Sequence, residues 1–291
     1  MDAKYSIIFH LRVILLVLVS WPLFAQQDTV VLVAKKNTPS LNKLLNNLKS
    51  IEPSLSYQIS TSGKPLNVSS DAYVISVGTN KNSHFDFSKN SKRIGVMLTA
   101  KQADDERMAS SILVEPPLAR QLKLANLLIP GSKPLGLLVS SIDDRDRRLA
   151  TLTKSQINML KIVNVADFDN INQALYHVLK DTRLLLGSYD DEIYNAKNIK
   201  NILITSYRQQ KVLVGPSRAY LKAGSFATTF SDLSHIAQRI LDIIQHHKKT
   251  GLWLKTGYNP YYRILFNSQV ARSLNIRVSN AEILKQQMGE D

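Results

Sequence analysis

The chain of 291 residues contains no cysteine. Disulfides are thereby excluded, as is a lipid anchor on an N-terminal cysteine, and the fold is left to be held by its apolar core. No Gly-rich phosphate loop of the Walker type occurs, and no G-x-G-x-x-G follows a strand pattern. No cofactor is expected. The sequence also lacks low-complexity segments and any internal repeat beyond an alternation of strand and helix patterns. Acidic residues are scarce: 23 Asp and Glu face 37 Lys and Arg, a formal charge of +14. The bases are scattered and no basic block is interleaved with aromatics, which points away from nucleic acid. Such a surface favours anionic or zwitterionic solutes by long-range steering.

The first 25 residues read as a secretory signal. Lys4 and Arg12 supply positive charge, Val13 to Leu18 is unbroken aliphatic, and Leu23-Phe24-Ala25 ends in a small residue. The apolar run is too short to span a bilayer comfortably, so cleavage after Ala25 is expected. The product is a free periplasmic protein of about 266 residues with a charge of about +13.

From Val30 onward, short β-rich runs alternate with helical patterns, as in stacked βα units around parallel sheets. "VVLVAK" (30–35) is a strand. The helix after it is capped by Thr38, has Pro39 in its first turn, and sets Leu41, Leu44, Leu45 and Leu48 on one face. Further strands are predicted at 55–60, 72–78 and 93–99. A second series begins near Ile112 and runs through 134–141, 158–165, 183–188 and 211–217, with helices over 168–181 and 197–209. Ser231 is the expected cap of the longest helix, and 262–267 the last strand. Two series of comparable size imply two lobes.

"VLVGPSRA" (212–219) raises a catalytic question, because a Ser on a sharp turn between strand and helix is the nucleophile elbow of α/β-hydrolases. Gly215 fits the motif; Ala219 and Pro216 do not. The acid and base candidates Asp232, His235, Asp242 and His246 all fall on one helix, with His235, Asp242 and His246 opposite its Leu233/Ile236/Ile240 stripe. No enzyme is therefore expected. His246, His247, Lys248 and Lys249 read as cationic residues favoured at a helix C-terminus. No metal site is expected either, since His246 and His247 diverge by about 100° on a helix and no cysteine or nearby carboxylate joins them.

"ILVEPPLARQLKLANLLIPGSKPLGLLVSS" (112–141), "KVLVGPSRAYLKAGSFATTFSDLSHIAQRILDII" (211–244) and "YYRILFNSQVARSLNIRV" (261–278) resemble the periplasmic substrate-binding proteins of ABC transporters, specifically the family related to tryptophan/tyrosine binding components. The likeness covers roughly residues 95 to 285. It departs where that family carries an Asp-Pro pair and a Gly-Gly-Asn-x-Thr-Gly segment; here the chain runs "AKQADDERMASSILVEPP". The ligand therefore does not transfer.

The resemblance implies a periplasmic-binding-protein type I fold: two Rossmann-like α/β lobes with parallel sheets flanked by helices. Residues 26–112 plus 228–250 would form the first lobe and 113–227 plus 251–291 the second. It also implies capture of a small solute between the lobes for delivery to an ABC permease or other membrane partner; the basic charge balance and Asp190 suit an anionic or amino-acid-like one. The alternative is an interaction or sensor subunit that has lost solute capture. In such a fold, strand-end loops carry the ligand. Lys35, Asn37, Thr79, Asn80, Ser140, Ser141, Asp190, Ser217 and Tyr220 are the expected ligand-binding residues. Asp190 is suited to a ligand amine, and Lys35 and Asn37 to an anionic group near the helix begun at Thr38.

Overall fold

The computed structural model describes residues 28–61, 69–79, 92–105 and 108–289. The expected signal segment lies outside them. Among the described residues no helix is long and apolar enough to cross a membrane.

Two six-stranded sheets organise the chain. The first contains β1 (Thr29–Ala34), β2 (Ser56–Thr61), β3 (Tyr73–Val77), β4 (Arg93–Leu98), β5 (Ser110–Leu113) and, from far along the chain, β11 (Gly257–Tyr258), in the order β11-β5-β4-β3-β1-β2. The second contains β6 (Leu135–Val139), β7 (Leu160–Asn164), β8 (Leu185–Leu186), β9 (Leu213–Val214), β10 (Ala227–Phe230) and β12 (Arg263–Phe266), in the order β12-β10-β9-β8-β6-β7. All pairings are parallel except that of β10 with β12. The expected doubly wound, two-lobed architecture is thus present. In each sheet the strand order reverses beside the first strand of its series, β1 or β6.

Local chemistry explains the elements. Thr38 caps α1 (Pro39–Ile51), its hydroxyl accepting from Leu41 N at 3.2 Å, and Leu41, Leu44 and Leu48 are buried against β1 and β3. The central strand β1 is a short unbroken apolar run, "VVLVA", buried on both faces as interior parallel strands are, while the edge strand β2, "SYQIST", is more polar and only partly buried. The second core is formed by β6, β8 and β9 with α2 (Leu118–Leu128) and α3 (Ala281–Met288) on one face. On the other face it is covered by α4 (Ile171–Lys180) and α5 (Ile199–Arg208).

The longest helix, α6 (Leu233–Thr250), returns to the first lobe, where Ile236, Ile240, Ile243 and Ile244 join the core with α1. Its cap is Asp232, one residue beyond the expected Ser231. The Asp232 carboxylate accepts from Ser234 N (3.0 Å) and His235 N (3.1 Å), and His235 Nδ1 accepts from Asp232 N at 3.3 Å. Ser231 donates instead to the Tyr261 carbonyl at 2.7 Å and ties two crossing segments together.

His247 also differs from expectation. It stacks on Trp253 at 3.9 Å, and its Nδ1 lies 2.9 Å from the Tyr73 hydroxyl. Burial, then Lys92, pushes its pKa down, and the ring packs in an aromatic cluster with Tyr73 and Trp253.

The chain crosses between the sheets three times: after β5, after β10 and between β11 and β12. Three placements depart from the sequence reading. "SSIL" completes the first sheet as β5 instead of opening the second series. "ATTF" forms β10 in the second sheet, although residues 228–250 were assigned to the first lobe, and the preceding short helix α7 (Arg218–Ala223) was also missed. Gly257 and Tyr258 pair with Ile112 and Leu113 of the first sheet, although 251–291 was assigned to the second lobe.

Candidate functional site

A cavity of about 400 Å³ opens where the carboxyl ends of the two sheets meet. The first sheet contributes Thr99 and Ala100 after β4, Glu115 and Pro116 after β5, and Tyr258 from β11. From the second come Ser140 and Ser141 after β6, Gly187 to Glu192 after β8, and Pro216 after β9. In the second sheet the ends of β6 and β8 flank the reversal of strand order, where the connections depart to opposite faces and leave a crevice. One backbone feature helps aim the first-lobe side. Met97 adopts a left-handed φ of 59° at a bulge between β4 and β5, just before the turn that brings Thr99 and Ala100 to the cavity.

The expected site residues divide. Ser140, Ser141 and Asp190 line the cavity. Lys35, Asn37 and Thr79 lie on the same carboxyl edge of the first sheet but do not line it. Asn80 lies outside the described residues. Ser217 stands one residue behind the wall, its hydroxyl hydrogen-bonded to that of Tyr189, which does line the cavity. His235 is engaged in the helix cap, and Asp242 accepts from Gln238 at 3.1 Å. Tyr220 belongs to the second core. Its hydroxyl donates to the Tyr194 carbonyl and the two rings meet edge to face at 6.3 Å.

Asp190 is not the free carboxylate that an amine would need. Buried at 7% exposure, it accepts from Ser140 N (3.2 Å), Glu192 N (3.0 Å) and Ile193 N (3.3 Å). It therefore staples the end of β6 to the loop after β8. Beside it, helix α8 (Ile142–Leu149) starts at Ser141, whose hydroxyl accepts from Asp144 N at 3.1 Å. Arg148 bonds Asp144 through Nε at 2.7 Å and donates to the Tyr189 carbonyl at 2.9 Å. Gln121, 1% exposed, is engaged at both ends: Nε2 donates to the Gly215 carbonyl at 2.8 Å, and Oε1 accepts from Thr229 N and Oγ1 at 3.3 and 3.1 Å.

Two polar atoms on this wall find no hydrogen-bond partner among the described residues: Glu115 Oε2 and Ser188 Oγ. Ser188 is 5% exposed. The other oxygen of Glu115 accepts from Ala100 N at 3.0 Å. Burial raises the Glu115 pKa, against the pull of the Ala100 N–H and of Arg148 and Arg147. Its charge in turn helps burial raise the Tyr189 and Tyr258 hydroxyls. The wall as a whole carries six carboxylates against three cationic side chains, the reverse of the chain's +14 balance. Surface charge and cleft charge are thus independent. Among the described residues no group of three or more metal-ligating side chains occurs.

A carboxyl with a raised folded-state pKa contributes stability below its unfolded pKa and loses that contribution as pH rises through the folded value. Glu115→Gln is therefore expected to raise the thermal midpoint by a few degrees near neutral pH. The difference should vanish by about pH 4, where both states are protonated. Thermal melts of the two proteins across that range check it; a midpoint difference independent of pH would refute it.

Glu115, Ser188, Tyr189 and Tyr258 were not singled out in the sequence. An acid directly after a buried strand and before Pro-Pro, as in "ILVEPP", is the signal that marks Glu115. Tyr258 has no local signal, because a pairing with β5 nearly 150 residues upstream in the chain delivers it.

No family profile and no curated protein matches the chain. Solved structures do. The ABC domain of Streptococcus pneumonia in complex with L-Trp is 13% identical with a TM-score of 0.52, covering 91% of this chain and 99% of that one. A substrate-binding protein with adhesive properties from Clostridium difficile, in its ligand-free open form, reaches a TM-score of 0.61 at 8% identity over 88% and 97% of the two chains. A conserved domain protein of Vibrio cholerae gives 0.50 at 13% identity over 89% and 98%. The fold is that of type I periplasmic binding proteins, and the resemblance expected from the sequence is present at the level of fold.

Proposed function

We propose that the protein is a solute-binding protein that encloses a small polar molecule between two lobes and passes it to a membrane permease of the ABC class. The observation that carries this is the cavity of about 400 Å³ walled by strand ends of both sheets, the place and size at which α/β folds hold small ligands. The solved relatives that share the fold include one with L-Trp bound.

The two sheets with their covering helices would be the two lobes, and the three crossings the hinge that closes them over the ligand. The mechanism has no covalent step. Export after cleavage behind Ala25 would place the protein in the periplasm. A second reading, a subunit that keeps the fold for interaction, is supported by the internal pairing of Asp190, Asp144 and Gln121.

A thermal-shift screen of small metabolites tests the proposal. A ligand at a hundred times its dissociation constant stabilises the native state by about 2.7 kcal/mol, and at least one such hit is expected. No stabilising compound in a broad library would overturn solute capture and favour the interaction subunit.

A further inference from the structure

We infer that the enclosed molecule is an organic amine without a neighbouring carboxylate, its ammonium group seated against Glu115. This rests on the solute-binding proposal and deepens it.

The inference follows from which polar valences the cavity leaves open. An anion would be held at the second lobe's strand ends, where backbone N–H groups and a helix N-terminus converge. That place is filled by the protein's own carboxylates. Asp190 takes the Ser140 N–H, and Asp143 and Asp144 occupy the first turn of α8, where their charge opposes a second anion. The wall's guanidinium groups are engaged as well, since Arg148 is committed to Asp144 and to the Tyr189 carbonyl and Arg147 leans on Asp144 at 3.8 Å, and its third cation, Lys101, stands exposed to solvent.

Among the buried polar atoms of the wall, what remains is Glu115 Oε2, an acceptor, and Ser188 Oγ, which can accept or donate, on opposite lobes of one cavity. A buried carboxylate oxygen without a donor is costly, and an ammonium N–H supplies the donor together with the compensating charge. The carboxylate excess of the wall acts in the same direction. Lobe closure would bring the Ser188 hydroxyl onto a second polar group of the ligand.

Isothermal titration and thermal shift with matched compounds test this. Putrescine, cadaverine and agmatine are compared with ornithine, lysine and arginine, which add a carboxylate, and with 1,4-butanediol and succinate, which replace the amines. Any library hit is sorted by the same criterion. At least one amine is expected to bind ten-fold or more tighter than its carboxylated counterpart, and Glu115→Gln to reduce its affinity at least ten-fold while the variant keeps its fold by circular dichroism. Ser188→Ala should weaken the same ligand several-fold.

Equal or tighter binding of the amino acids, diol or succinate overturns the inference and leaves solute capture standing. So does a library whose hits all lack an amine, or an amine whose affinity survives Glu115→Gln. Absence of any hit removes solute capture itself.

Discussion

Arg120→Ala is expected to cost about 3–5 kcal/mol of folding free energy, read from chemical denaturation. Arg120 is 1% exposed on the inner face of α2, yet it is a cation. Its Nη2 donates to the Asn259 carbonyl at 2.8 Å, and its guanidinium lies 4.0 Å from the centroid of the Tyr262 ring. Both partners belong to the third crossing. Truncation removes a charge-assisted hydrogen bond worth roughly 1.5–3 kcal/mol and a desolvated cation–π contact of about 2 kcal/mol, and it leaves a cavity. Lys does not reproduce a planar group that stacks and donates at once, so Arg120→Lys should recover less than half of the loss. Met fills the volume without burying a charge and should do better than Ala. A loss below about 1 kcal/mol for Ala would show that the crossing is held elsewhere.

Asp190→Ala is expected to lower stability by about 3 kcal/mol, a fall in the thermal midpoint of roughly 6–12 °C for a chain of this size. Of the three N–H groups that the carboxylate accepts, that of Ile193 retains the Asp190 carbonyl at 3.2 Å, whereas those of Ser140 and Glu192 lose their partner in a partly buried place. Asn offers one acceptor and turns an NH2 toward a donor, so Asp190→Asn should recover about half. The measurement also separates two roles. A ligand-holding carboxylate would lose affinity on substitution with little change in melting, while a staple loses stability first. A midpoint within about 1 °C of the parent protein would refute the staple.

Both residues show where the sequence stops being informative. "LARQLK" announces a helix, but nothing in it says that Arg120 points inward to meet residues 259 and 262. Asp190 was legible as a strand-end acid; that three N–H groups already occupy it depends on β6 and β8 lying side by side. Tyr220, read as a donor in the binding loop, packs inward on Tyr194. Short strands were the other weak point, because "ATTF" and "GY" carry no periodicity of their own and are defined by their partners. Asp232 took the cap from Ser231 because the residue one step on can reach two N–H groups and also receive His235 in return.

What the sequence determined by itself was the class of fold. Apolar runs such as "VVLVA" and "LGLLV" can only be buried strands, the patterns between them only their covering helices, and two such series require two sheets. Local chemistry also determined the cap at Thr38, which depends on neighbours within a few residues. The tertiary structure alone decided which sheet received β5, β10 and β11. It also decided that the cleft is acidic on a basic chain, and that Glu115 and Ser188 keep free valences while Asp190 and Arg148 spend theirs. The physical reason is the same in each case: sheet membership, hydrogen-bond saturation and cleft charge depend on groups that the fold brings together from distant parts of the chain, as Ser140 meets Asp190 and Arg148 meets the Tyr189 carbonyl.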